Sequence, residues 1–292
     1  MLPQNKKTTI LIFFSINAIY FFSVFQRVAV PGTIFNELQT SFLLSASAVA
    51  TLGTLYMYIY GGMQFLAGMM ADRLGAGRVL ITGVVLLSAG SIFFPLSHSL
   101  TALYLSRALV GFGASLIFIS IIKELDNLFD NRNFPFFLGL SLALGYSGGL
   151  FGTLPFERTV HFFGWRTSLL IAGIVCGLAV VCASFLLKKT GRVSEKSKKF
   201  SFRVIRNIVR NKISIPVIFS GSINFSIYFL IQAAFGKKFL QDCYHLDSRT
   251  AAGFTFVMML AAISCYLFSG YFSRVIDRRK PIMVCATSIT LF

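Results

Sequence analysis

Two arginines sit inside stretches of sequence with almost no other charge. Arg27 lies in the apolar run 9–30 and Arg107 in the run 101–122. A guanidinium in hydrocarbon is unfavourable, so each is a functional candidate by default. Asn17 and Tyr20 share a helical face with Arg27, and Ser220, Asn224 and Tyr228 form a similar stripe in the run 213–235. Such stripes do not face lipid. They line a cavity, or they make polar contacts between packed helices. Arg107, about two turns from the start of its run, either faces the same cavity or extends its side chain outward to the membrane surface. Amide, phenol and guanidinium groups without a nearby acid suit the binding of an anion. No acid lies within an apolar run: Asp72, Glu124, Asp126, Asp130 and Asp277 fall at one set of ends, Glu37, Glu157, Asp242 and Asp247 at the other, and Glu195 between two runs. No nucleophile–base pair appears in any run, so the chain is not expected to be an enzyme. The five cysteines have no metal-like spacing and read as small core residues. His98, His161 and His245 fall in expected loops. Neither a metal nor a cofactor is expected.

The elements that hold these residues must be membrane helices. The chain has 292 residues, 55% of them hydrophobic and 13% charged, with a mean hydropathy of +0.75. No single soluble core could hide that much apolar surface, since soluble domains carry about 25% charged residues. Spans need about 20 apolar residues, and the runs 9–30, 43–70, 79–97, 101–122, 134–156, 167–187, 213–235 and 251–273 qualify. A ninth starts near Ile282 and is only half complete at Phe292, which reads as a truncated frame. Lys6 and Lys7 before the first run resemble a signal peptide, but no small-residue cleavage site follows, so this run is read as helix 1.

The net charge of +17 is placed in the gaps between runs. With the N-terminus inside, 20 of the 27 lysines and arginines fall on the cytoplasmic side and five outside. That placement indicates anionic lipid headgroups as the partner, not nucleic acid. The basic segment 189–212 separates an N-terminal bundle (1–188) from an incomplete C-terminal one (213–292). Within it Phe202, Ile205, Ile208 and Val209 recur at helical spacing, which fits a surface helix or an ordinary solvated linker.

The halves echo each other. Ser15-Ile16-Asn17 matches Ser222-Ile223-Asn224, each followed by a tyrosine and a phenylalanine, and Gly68 to Arg78 is echoed by Gly270 to Lys280. Parallel six-helix repeats are a known transporter plan.

Between the second and third runs stand Gly68, Asp72, Arg73, Gly75 and Arg78. This pattern resembles the helix 2–3 loop of the major facilitator superfamily. The chain is therefore expected to be an all-α integral membrane protein of the major facilitator fold. It would hold a complete N-terminal six-helix half and about two and a half helices of the second. The resemblance implies that these five residues form a conformational latch, with Asp72 facing a helix terminus of the other half and Gly68 allowing close helix approach. Arg107, Gly111, Gly113 and Ala114 resemble the family's helix 4 motif. Gly145, Gly148 and Gly149 fall where antiporters carry a glycine–proline motif, but Tyr146 stands at the proline's place. Gly111, Gly113, Gly145 and Gly149 are expected to allow tight helix packing.

In this family helices 1, 4, 7 and 10 line the cavity, which makes Asn17, Tyr20, Arg27, Arg107, Asn224 and Tyr228 the expected substrate residues. The implied function is secondary active transport of a small organic solute, anionic or zwitterionic, by alternating access. The coupling ion would be a proton or sodium. The expected form is a monomer, multi-pass in a bacterial cytoplasmic membrane. The alternatives are efflux of amphipathic compounds, which the 33 phenylalanines suit, and a truncated membrane protein that does not transport.

Overall fold

The computed structural model describes residues 6–189, 210–211 and 214–276, apart from some side chains near 180–189, 214–234 and 270–276. The expected surface helix at 202–209 and the start of the ninth span lie outside the described residues. The order is α1 (Lys6–Val28), a wide turn (Ala29–Thr33), α2 (Phe35–Phe42), α3 (Ala46–Leu74), α4 (Ala76–Leu96), α5 (Leu100–Leu128), α6 (Phe134–Phe151), α7 (Leu154–Phe163) and α8 (Trp165–Lys189). Then come α9 (Ser214–Phe229), a second wide turn (Leu230–Phe235), α10 (Gly236–Tyr244) and α11 (Ser248–Ile276).

Local chemistry sets several boundaries. Ser45 and Ser99 each accept a bond from the backbone three residues on, closing the first turns of α3 and α5. A single residue, Gly75, separates α3 from α4 at φ +89°, and Gly164 separates α7 from α8 at φ +75°. Side chains rarely adopt such angles, so glycine is what permits each one-residue corner. Where loops were expected around His161 and Cys243, the chain forms the short helices α7 and α10. The expected span 134–156 breaks at Thr153, just before Pro155 enters the first turn of α7.

Six helical stretches are long and apolar enough to cross a membrane, from Lys7–Thr33 to Ser248–Ser269. Large apolar side chains such as Phe93, Leu105, Leu178 and Phe268 are exposed on their outer faces. The protein is a multi-pass integral membrane protein. Of the α5 window 61% is buried, against 22% for α11, so α5 is the central helix and α11 lies at the periphery.

Glycines set the tightest approaches. A Cβ at Gly113 would sit 2.5 Å from the Gly83 carbonyl, and one at Gly111 2.9 Å from the Tyr56 carbonyl, so α5 touches both α4 and α3 through backbone. A Cβ at Gly148 would lie 1.9 Å from the Phe21 carbonyl, and one at Gly145 2.0 Å from the Tyr20 ring. Those contacts press α6 onto α1. Gly149 faces Met259 and brings α11 against α6. Gly68 is different. Among the described residues nothing lies within 4 Å of a Cβ there, so none of them makes the close approach expected at that glycine.

Replacing Gly148 with valine should therefore separate α1 from α6. Overpacking of this kind costs about 1–3 kcal/mol or more, and the midpoint of thermal unfolding in detergent should fall by several degrees. Gly68→Ala should leave the midpoint unchanged or raise it, because alanine favours a helix over glycine by about 1 kcal/mol.

Candidate functional site

The site begins with a break in α1. Proline has no backbone N–H, and the residue before it is driven out of the helical region. Val30, at φ −122° and ψ 124°, precedes Pro31, and the helix ends there. The break leaves carbonyls in the bundle interior without their helical donors. Arg107 takes two of them. Its Nη1 donates to the Gln26 carbonyl at 3.0 Å and its Nη2 to that of Val30. The guanidinium lies 4.4 Å above the Tyr56 ring and the residue is 1% exposed. Gly111, one turn further along α5, lets α3 come close enough to place Tyr56 there. Gly53 leaves room for the Pro31 ring, 3.2 Å from where its Cβ would be. Arg107 thus points at the α1 backbone, with its Nε alone unpartnered.

Arg27 is placed differently. It is 6% exposed, and its guanidinium lies 5.2 Å from the Tyr146 ring and 5.9 Å from Phe225. Among the described residues it has no hydrogen-bond acceptor and no carboxylate. Tyr20, Tyr56, Tyr60, Tyr146, Tyr228 and Tyr266 all lie within its electrostatic reach. Tyr146 is the hub of this ring. It lies 4.7 Å from Tyr266 and 6.2 Å from Tyr228. Tyr56 stacks on Tyr60 at 5.8 Å. Tyr20 stacks on Phe118, and Tyr228 donates to the Met259 sulfur at 3.2 Å. Helices α1, α3 and α6 meet α9 and α11 here. Cation–π contact stabilises a guanidinium in this setting, but it leaves the donors of Arg27 without acceptors.

Tyr20, Arg27 and Tyr228 are brought together, as the helical stripes suggest. The amide of Asn17 instead donates to its own helix at the Phe13 carbonyl, 2.7 Å away, and its Oδ1 is buried without a partner. The side chain of Asn224 lies outside the described residues. Sequence reading misses Tyr56, Tyr60, Tyr146 and Tyr266. One signal was available: Tyr56 and Tyr60 are four apart, hence on one face of a helix. Tyr146 stood out only by occupying a proline's place.

At the opposite end of α3, Asp72 pairs with Lys123 of α5, whose Nζ also donates to the Gly68 carbonyl at 3.2 Å. The Asp72 partner seen here therefore belongs to the same half, not to a helix terminus of the other. Arg73 and Arg78 are exposed. Glu124, beside Lys123, is fully buried. Among the described residues no three His, Cys, Asp or Glu side chains gather as metal ligands. Trp165 packs between Phe42 and Phe94, and its indole N–H donates to Ser41 at 3.0 Å.

Arg107→Met should strip donors from two buried carbonyls. Each buried group left unsatisfied costs about 1–3 kcal/mol. Thermal unfolding should shift down accordingly, and Arg107→Lys should recover part of the loss, because a lysine reaches one carbonyl more readily than two.

The chain has recognisable relatives. It is 29% identical over 157 residues to "Monocarboxylate transporter 11" of Homo sapiens, covering 53% of this chain and 33% of that protein. It is 24% identical over 205 residues to the "Oxalate:formate antiporter" of Oxalobacter formigenes, covering 67% and 48%. Against a "Probable sugar efflux transporter" of Mannheimia succiniciproducens the identity is 27% over 264 residues, covering 90% and 64%. The chain thus spans between a third and two thirds of the length of these relatives. Its fold is similar to the crystal structure of the peptide transporter POT (E310Q mutant) in complex with alafosfalin, with a TM-score of 0.58 and 16% identity, over 79% of this chain and 47% of that one. The family model of the Major Facilitator Superfamily matches residues 14–292, and with the Gly68–Arg78 pattern spanning the α3–α4 corner, the chain belongs to the major facilitator superfamily.

Proposed function

We propose that this protein is a secondary transporter that carries a small carboxylate across the membrane by alternating access. The observation that carries the reading is Arg27: a buried guanidinium with no acid and no hydrogen-bond acceptor among the described residues, ringed by tyrosines from both ends of the chain. A carboxylate entering the ring supplies the missing countercharge and two acceptors, in the planar geometry that a guanidinium matches. The phenols of Tyr20, Tyr60, Tyr146, Tyr228 and Tyr266 supply donors that fix its orientation. Because α1, α3 and α6 lie on one side of this site and α9 and α11 on the other, a bound anion tightens the junction between them. An anion also fits the printed names of two relatives, the monocarboxylate transporter and the oxalate:formate antiporter. Arg107 serves the site indirectly, by holding the α1 break on which the position of Arg27 depends.

The setting that fits is a monomer in a bacterial cytoplasmic membrane, with the N-terminus, the Asp72 end and the 189–212 segment inside, where their positive charge meets anionic lipid. Cys243, exposed on α10, should then react with a membrane-impermeant maleimide in intact cells; reaction only after permeabilisation would reverse the orientation. Binding is tested with oxalate and formate, by calorimetry on the protein in lipid nanodiscs. Arg27→Gln should raise Kd at least about tenfold, a loss of about 1.4 kcal/mol, and Arg27→Lys should raise it less. Unchanged affinity in Arg27→Gln, or tighter binding of a lipophilic cation than of either anion, would overturn the reading.

A further inference from the structure

On the side of α1 opposite Arg27, the bundle carries a phenylalanine-lined groove that the anion site does not use. Phe14, Ala18, Phe21, Phe22 and Phe25 recur at helical spacing on one side of α1, while Tyr20 and Arg27 fall on the other. The groove has two adjoining chambers that share Phe21 and Phe22. The inner one, of about 360 Å³, is walled by Phe14, Asn17, Ala18, Leu144 and Ser147. The outer one, of about 440 Å³, reaches α7 and α8 through Phe156, Phe163 and Ile171. Phe14, Phe151, Phe163 and Ile171 are exposed on the outer face of the bundle, so the groove opens to the bilayer. None of the ring tyrosines lines it.

The hydroxyls along the groove are already committed to backbone. Ser147 donates to the Leu144 carbonyl at 2.6 Å, Thr159 to that of Phe156 at 2.8 Å and Ser168 to that of Gly164 at 2.8 Å. Asn17 is the exception. Its Nδ2 donates to the Phe13 carbonyl, which sets the orientation of the amide and leaves Oδ1 as the free end. The residue is 2% exposed, and no described residue donates to its Oδ1. Asn17 lies about 16 Å along α1 from Lys6, close to the middle of a hydrocarbon core of about 30 Å. A carbonyl left unsatisfied at that depth is unfavourable, and acyl chains bring no donor to it. Phospholipid headgroups stay at the surface, out of its reach.

We propose that this groove is a second binding site, for a small neutral phenol or aromatic alcohol that enters from the bilayer. Its ring lies among the phenylalanines, and its hydroxyl donates to Asn17 Oδ1. Each part of that choice follows from the lining. Edge-to-face and offset contacts with phenylalanine favour an aromatic body. The free acceptor requires a donor, which excludes ethers, esters and carboxylates. No charged side chain lines either chamber, so an ammonium or a phosphate has no counterion there. Oδ1 is covered, and turning of the amide or of a neighbouring ring, a rotamer change, opens it to the hydroxyl. The bound molecule touches α1 on the side away from Arg27, and the site does not depend on what Arg27 binds.

The test is photolabelling of the protein in lipid nanodiscs by a benzyl alcohol that carries a trifluoromethyl-diazirine. Labelled positions are mapped by mass spectrometry. Labels should concentrate on α1 between Phe14 and Phe25, and on α6 and α7 between Leu144 and Phe163. 4-Butylphenol should protect these positions saturably. Butylbenzene and 4-butylanisole, which have no donor, should need about three- to tenfold higher bilayer concentrations, the ratio that one hydrogen bond supplies. Asn17→Leu keeps the volume and removes the acceptor, so the phenol should lose its advantage while the apolar contacts remain. Ala18→Trp fills the inner chamber and should abolish protection, with oxalate binding unchanged. Labels spread evenly over exposed positions such as Phe93, Leu105 and Leu178 would overturn the proposal. Equal protection by butylphenol and butylbenzene in the parent overturns it too, as does a phenol advantage that survives in Asn17→Leu. Absent oxalate binding with an intact phenol advantage faults the carboxylate reading alone.

Discussion

The guanidinium of Arg107 on the two carbonyls released by α1 is the contact on which the other features of the site depend. A helix cannot end inside an apolar bundle unless something satisfies its freed backbone groups. Pro31 forces α1 to end there, and a planar, permanently charged donor on the central helix meets the requirement. Because α1 ends at this depth, Arg27 is held one turn before the break and beside Tyr146. Because it ends, the chain can also turn at Thr33 and offer a carbonyl to Lys237. One break therefore connects the tyrosine ring with the Lys237 contact at the Pro31 end.

Glycine makes that arrangement possible by removing side chains where backbones must touch. Gly111 lets Tyr56 pass under Arg107, and Gly145 and Gly148 let α6 lie on α1 so that Tyr146 reaches Arg27. Lipid gives helices no hydrophobic reason to associate, so close backbone packing supplies much of what holds them together. The helix α11 packs along α6, with Gly149 against Met259 and Tyr146 against Tyr266, and its Thr255 carbonyl accepts from Gln232.

Two kinds of buried charge occur in this molecule, and they are satisfied in different ways. Arg107 and Lys237 donate to backbone carbonyls, so their charge meets fixed dipoles. Among the described residues Arg27 meets only aromatic faces and phenols. In low dielectric the first two act as structure, while Arg27 is left open to an anion. That division separates the clamp from the site proposed for the anion.

Much of the architecture was legible from order and composition alone. Apolar run length gave six of the eight expected spans among the described residues, because a bilayer of fixed thickness demands a fixed helix length; the runs 43–70 and 213–235 are not among those six. Gly75 marked a corner only glycine could turn. The Gly68–Arg78 pattern carried the family. What sequence could not convey was direction in three dimensions. Arg27 and Arg107 look alike as arginines in apolar runs, yet one faces a ring of tyrosines and the other a broken backbone; the difference comes from Pro31 and the glycines of α5 and α6, which act between helices far apart in sequence. Tyr56, Tyr60, Tyr146 and Tyr266 read as ordinary aromatic residues until packing brought them around one guanidinium. Glu37, Glu157 and Lys237 fall between the apolar runs, in segments that fold as the short helices α2, α7 and α10. The burial of Lys237 against the Thr33 carbonyl comes from how these helices pack, which no local pattern encodes.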